Sequence, residues 1–245
     1  GIFRLGYYQD SDGRILEGLA IFGKKSLPAK PGSQCGNGIC EPGENAKKCA
    51  VDCGGGSGEE TSSCYSFLGN GAKWKSQEPY VVNPANVENL DETFIVNNLA
   101  SDISKWETAS GLEILGNGSS TTATLEADMV APDGVNEVYF GSIDSPGAIA
   151  VTIVWGVFRG PPRNRELVEW DQVYDDFDFN WSADCTIENC TAKMDFENIA
   201  QHELGHSIGM GHPQDTCTEE TMYAFASNGE TKKKDLNSGD ITGVK

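Results

Sequence analysis

His202 and His206 stand four residues apart, and an α-helix puts side chains at that spacing on one face and close enough to reach one ion, where a strand would hold them too far apart. The segment reads His202-Glu203-Leu204-Gly205-His206-Ser207-Ile208-Gly209-Met210-Gly211-His212. Glu203 follows the first imidazole, where it can reach a metal's water without ligating the metal. Gly209 permits a sharp exit from the helix at positive φ, and that turn swings His212 back as a third ligand. Three protein ligands leave one coordination position open, the pattern of a catalytic zinc site rather than a structural one. The alternative is a surface helix with incidental histidines. The chain has only three histidines and all three fall in this segment, which tells against coincidence. Any fold for this chain must therefore carry a helix from about Asp195, a good N-cap, to about Ile208.

The rest of the chain divides by texture. Residues 1–30 form a hairpin-like segment: the apolar, partly alternating run Ile2 to Tyr8, the turn Asp10-Ser11-Asp12-Gly13, and a second apolar run from Ile15 to Phe22. A pro-segment is one reading of it. Residues 31–58 hold Cys35, Cys40, Cys49 and Cys53 among Gly, Pro and Asn, then Gly54-Gly55-Gly56-Ser57-Gly58. Such a stretch cannot build a core, so a disulfide-closed Cys-rich module and a flexible linker are expected. Residues 59–245 are expected to form one domain. A strand is expected over Lys73 to Val82 and a long amphipathic helix over Asn86 to Ser110, ended by Gly111. Further strands are expected over Leu112 to Leu115, Glu137 to Ile143, Ala148 to Val157 and Leu167 to Tyr174, and a last helix from Ser238. A helix after the first strand and another after the rest imply a mixed sheet with helices packed on it.

Charge and cysteines narrow the function classes. A net charge of −19 excludes nucleic-acid binding through a basic face and suits hard cations such as calcium. The longest apolar run, Gly147 to Phe158, is too short to span a membrane as a helix. Eight cysteines fit disulfides and a secreted, extracellular protein. Cys185 and Cys190 are near enough for a local bridge, and Cys64 is a candidate partner for Cys217. The chain opens at Gly1 with no visible signal peptide, as expected of a processed form. Lys232-Lys233-Lys234 reads as a solvated face.

The zinc motif resembles that of the metzincin metalloproteases, whose HExxHxxGxxH is followed by a methionine turn. Here Met222, with Tyr223 after it, lies at the matching distance. Within that clan the chain is similar to the matrixins, especially prokaryotic ones. Gly147 to Thr152 resembles their edge strand, Lys73-Trp74 with Tyr80 to Pro84 their first strand, and Asn228 to Val244 their terminal segment. The resemblance implies an α+β fold: a mixed, mostly parallel twisted sheet with an antiparallel edge strand, two long helices and a small C-terminal subdomain, plus the small Cys-rich N-terminal region. It implies a zinc endopeptidase that cuts peptide bonds with a zinc-bound water and Glu203 as general base. A protein or peptide substrate would pair with Ala148, Ile149, Ala150, Val151 and Thr152 by strand addition. One catalytic Zn2+, and Ca2+ near Asp128, Asp133 and Asp144, are implied as well, although solvated surface is the ordinary state of such carboxylates. Val151 stands where animal matrixins carry a structural-zinc histidine, so a second zinc is not expected. Asp240 is in place to support the methionine turn. Cys35-Gly36 distantly echoes the inhibitory cysteine segment of matrixins; pairing within the Cys-rich module is its simpler role. A monomer is expected. The competing function is a latent or inactive metzincin that acts as a binding module through its N-terminal region.

Overall fold

The computed structural model describes residues 1–26, 64–186 and 189–245. The expected Cys-rich module, the linker and Cys35 lie outside the described residues. In chain order the strands are β1 (Ile2–Gln9), β2 (Ile15–Lys25), β3 (Ser66–Phe67), β4 (Glu78–Asn83), β5 (Leu115–Ser120), β6 (Asn136–Gly141), β7 (Ala148–Val157), β8 (Glu166–Asp175), β9 (Asn180–Ser182), β10 (Lys193–Asp195), β11 (Met210–Gly211) and β12 (Phe225–Ala226). The helices are α1 (Glu92–Ser110), α2 (Phe196–Ser207) and α3 (Ser238–Val244).

One large sheet runs in the order β1-β2-β7-β8-β6-β4-β5, with β12 against the end of β2. β8, β6, β4 and β5 pair in parallel, and β7 is antiparallel to β8. This is the expected α+β arrangement with a mostly parallel sheet. On this side β7 is the last long strand supplied by residues 64–245. The N-terminal hairpin then extends the sheet past it, because β2 pairs antiparallel along the whole of β7. The main core lies between the sheet and α1 with α2: Leu99, Ile103 and Trp106 meet Ile199, Ala200 and Leu204 over Val82, Val138, Val154 and Trp170. Burying such side chains stabilises a fold by roughly 1.5–3 kcal/mol each. A smaller cluster on the opposite face joins Leu16 and Ala20 of β2 to Val151, Ile153 and Trp155 of β7.

Local chemistry sets the boundaries. α1 starts at Glu92, later than the spacing suggests. Asn86 accepts from the Leu90 amide at 2.8 Å, and Asn89 sits at φ 56°, so the chain turns before Asp91 caps the helix through the Phe94 amide. Gly111, at φ 74°, ends it. β5 begins where a strand was expected to stop and continues through Gly116-Asn117-Gly118. Composition marks that stretch as a loop, but Gly118 lets the Tyr80 ring lie over it: a Cβ there would meet Tyr80 at 2.4 Å.

Candidate metal centre and active site

Asp195 caps α2 by accepting from the Asn198 amide at 3.0 Å, and the helix then carries His202, Glu203 and His206 into the interior. The helix stops at Ser207. Gly209, at φ 102°, makes the turn that returns His212. The three Nε2 atoms stand 3.1–3.2 Å apart. The Nδ1 atoms of His202 and His206 face the carbonyls of Thr221 at 2.6 Å and Met210 at 2.8 Å. Carbonyls only accept, so each of these Nδ1 atoms carries the proton and each Nε2 presents a lone pair. Lone pairs this close repel unless a cation lies between them. A tetrahedral zinc with bonds of about 2.0–2.1 Å would space its ligands about 3.3 Å apart, which the triad matches. Burial holds His202 well below its ordinary pKa, and brings His206 to about 4 and His212 to about 2, so all three are neutral and ready to ligate.

Glu203 is fully buried beside the triad. Burial pushes its carboxyl up to about 8, and the Thr152 hydroxyl, donating to Oε2 at 2.5 Å, works against that rise. Its other oxygen, Oε1, has no protein partner. A cation held by the triad would favour the charged form of this carboxyl, giving a carboxylate that keeps one oxygen free.

A packed floor supports the ligands. A Cβ on Gly205 would meet Met222 Sδ at 2.2 Å, so this glycine is what lets the methionine turn close against α2. Asp240 holds that turn, accepting from the amides of Thr221 at 2.8 Å and Met222 at 3.1 Å. Glu220 in turn accepts from Gly239 at 3.0 Å and Asp240 at 3.2 Å at the start of α3. The Cys64–Cys217 disulfide ties the beginning of this region to the segment ahead of Met222, and Cys185–Cys190 closes the short loop before α2.

Residues 80–245 match the matrixin family. The chain belongs to the matrixin family. It is 28% identical over 188 residues to metalloendoproteinase 1 of Glycine max, covering 75% of this chain and 55% of that protein. It is 26% identical over 199 residues to metalloendoproteinase 5-MMP of Arabidopsis thaliana, covering 78% and 49%. Over 51 residues it is 41% identical to matrilysin of Homo sapiens, covering 21% and 18%. The chain spans about half the length of the plant matrixins it matches over most of its own length.

The structure brings His202, His206, His212, Glu203, Met222 and Tyr223 of this matrixin into one region, with Ala148 to Thr152 along its flank. Thr152, expected only on the substrate-binding strand, turns its hydroxyl inward onto Glu203. Of the three aspartates expected near calcium, Asp133 and Asp144 are exposed. Asp128 instead approaches Glu169 and Asp171, with carboxylate oxygens within 4.8 Å of one another. Glu169 and Asp171 were hidden from sequence reasoning because they read as ordinary positions in an alternating strand. The Lys232-Lys233-Lys234 run is not a solvated face throughout. Lys233 is 1% exposed, its ammonium 3.2 Å from Glu230 and 5.2 Å from the centre of the Tyr223 ring. Its backbone amide donates to Asn198 of α2, which pulls this turn inward. Another residue that sequence reasoning passed over is Gly23, which lies against Glu203: a Cβ there would stand 2.4 Å from Oε1.

Proposed function

We propose that this chain is an extracellular zinc endopeptidase, and the observation that carries the reading is the convergence of three neutral Nε2 lone pairs beside the free oxygen of Glu203. His202, His206 and His212 would hold the ion. Zinc at this position supplies Lewis acidity, polarising a substrate carbonyl and acidifying a water at neutral pH. Glu203 takes a proton from the attacking water at Oε1 and delivers it to the leaving amine. Thr152 fixes the carboxylate's other oxygen, so the base keeps one orientation. Thr221 and Met210 hold the imidazole tautomers. The β7 edge that β2 covers in this structure is the one to which an extended peptide would have to pair, and the names of the relatives, metalloendoproteinases and matrilysin, accord with this chemistry.

Calcium belongs to the same reading. Asp171 accepts from the amides of Asp128 at 2.9 Å and Glu137 at 3.1 Å, while Glu169 Oε1 and Asp128 Oδ2 are buried with no partner. Burial pushes Glu169 up to about 9 and Asp171 to about 8. A divalent cation bound by oxygen ligands would resolve that crowding. The competing function is a binding module with a silent metal site.

The test is zinc content and casein hydrolysis by the whole chain, run beside Glu203→Gln and His206→Ala. The expected result is one equivalent of zinc in the wild type and in Glu203→Gln, far less in His206→Ala, and no hydrolysis by either variant. A chain that takes up no zinc overturns the reading. A zinc-loaded wild type that hydrolyses no more casein than Glu203→Gln favours the binding module.

A further inference from the structure

Lys233 is a buried cation beside the metal centre, in a chain whose net charge is −19. Its ammonium makes no hydrogen bond among the described residues. Glu230 Oε1 lies 3.2 Å from it but out of line for one, and the centre of the Tyr223 ring is 5.2 Å away. Both favour the charged form, against the burial that lowers its pKa. Lys232, 5.7 Å from the same ring, is satisfied instead by the Thr218 carbonyl and Glu219. Lys233 lines a small cavity together with Ile199, His202, Glu203, Tyr223 and Phe225. The course of β2 shows which part of a peptide reaches that cavity. β2 is antiparallel to β7, Gly23 lies against Glu203, and the residues after it run beside Phe225 and Ala226. An extended peptide pairing with β7 in the same sense puts its cut bond at Glu203 and the following side chain at the cavity. In β2 that residue is Lys24, whose own ammonium lies 5.9 Å from the centre of the Phe3 ring. With Lys24 on its border the cavity measures only ≈ 10 Å³, and a peptide in place of β2 brings its own side chain there.

We propose that Lys233 is a specificity-determining residue, lining the pocket for the side chain on the amine side of the cut bond and selecting an acidic one, aspartate or glutamate. The proposal rests on the metallopeptidase reading and names its substrate class. An ammonium only donates, so what Lys233 lacks is an acceptor, and away from water a charged acceptor binds it best. A carboxylate supplies both the hydrogen bond and the opposite charge. A glutamine side chain supplies the hydrogen bond alone. A leucine leaves the buried ammonium as it is, and a lysine adds a second cation beside it.

The test uses the whole zinc-loaded chain and four labelled peptides of one sequence that differ only after the cut bond, with Glu, Gln, Leu or Lys there. Two quantities are read: Kd by fluorescence anisotropy on Glu203→Gln, and kcat/KM on the chain with Glu203 intact. β2 covers the same edge for every peptide, so it scales all of them alike and the ratios between peptides carry the answer. The Glu peptide is expected to lead the Gln and Leu peptides roughly ten- to hundredfold in both, with the Lys peptide last. Lys233→Met keeps the length of the side chain without its charge and should erase the lead of Glu over Gln. Glu230→Gln takes away the nearby carboxylate and should widen that lead, which keeps the proposal testable if Lys233→Met folds poorly. Equal values for the Glu and Gln peptides, or a lead that survives in Lys233→Met, overturns the role of Lys233. Acid-selective binding with zinc in place and no hydrolysis of any peptide overturns the peptidase reading and not the pocket.

Discussion

Gly205→Ala sets two effects of opposite sign against each other inside the metal motif. Alanine is favoured over glycine in a helix interior by about 1 kcal/mol. The new Cβ, however, would lie 2.2 Å from Met222 Sδ, 2.8 Å from Trp106 Cζ2 and 2.9 Å from Met222 Cε. Trp106 and Met222 are both wholly buried, so neither can swing into solvent. Overpacking of this kind costs about 1–3 kcal/mol, and three contacts below 3.0 Å place it at the upper end. The net is a loss of about 2 kcal/mol, the overpacking less the propensity gain. At about 2–4 °C per kcal/mol for a chain of this size, the zinc-loaded protein should melt roughly 4–8 °C lower. Zinc affinity, measured by competition with a chromophoric chelator, should fall as well, because Thr221 beside Met222 holds His202. The assay is a thermal melt of wild type and variant, each with and without zinc. A Tm equal to or above the wild type would refute the reasoning, since propensity would then outweigh the contact with Met222.

Asp240→Asn keeps the shape of the side chain but turns an amide NH2 toward amide donors from Thr221, Met222 and Asn237. It should cost about 1–3 kcal/mol of stability and weaken zinc binding; denaturant unfolding with unchanged midpoint would rule that out. The acidic cluster makes a pH prediction. Glu169 and Asp171 are raised to about 9 and about 8 by burial. In the unfolded chain they lose their protons near the usual carboxylate values, about 4. Their contribution to stability is therefore full below about pH 4 and is lost as pH rises toward the folded values. Calcium binds the charged form, so its stabilising increment should grow across that window. Melts of the zinc-loaded protein with and without calcium at about pH 5, 7 and 9 check this, and an increment independent of pH contradicts it.

Much of the site was legible in the sequence because the signals are local. The His202–His206 spacing, the Asp195 cap and the positive φ of Gly209 each act within a turn or two of chain, and chemistry at that range is written in consecutive residues. α1 shows likewise in its apolar periodicity and β7 in an unbroken apolar run. The late start of α1 escaped because side-chain bonds from Asn86 outweigh a continuing apolar stripe. Tertiary structure alone decided three things. Lys233 is buried although it sits in a run of three lysines, because Asn198 of α2 binds its amide. Glu169 and Asp171 face Asp128 because β8 runs past a loop some forty residues earlier. The third is the place of β2: an apolar run states that a strand will pair, but not with which partner. That choice is made by sheet geometry across more than a hundred residues, where β2 meets β7 along its length and β12 at Lys24 and Lys25, with Gly23 close against Glu203.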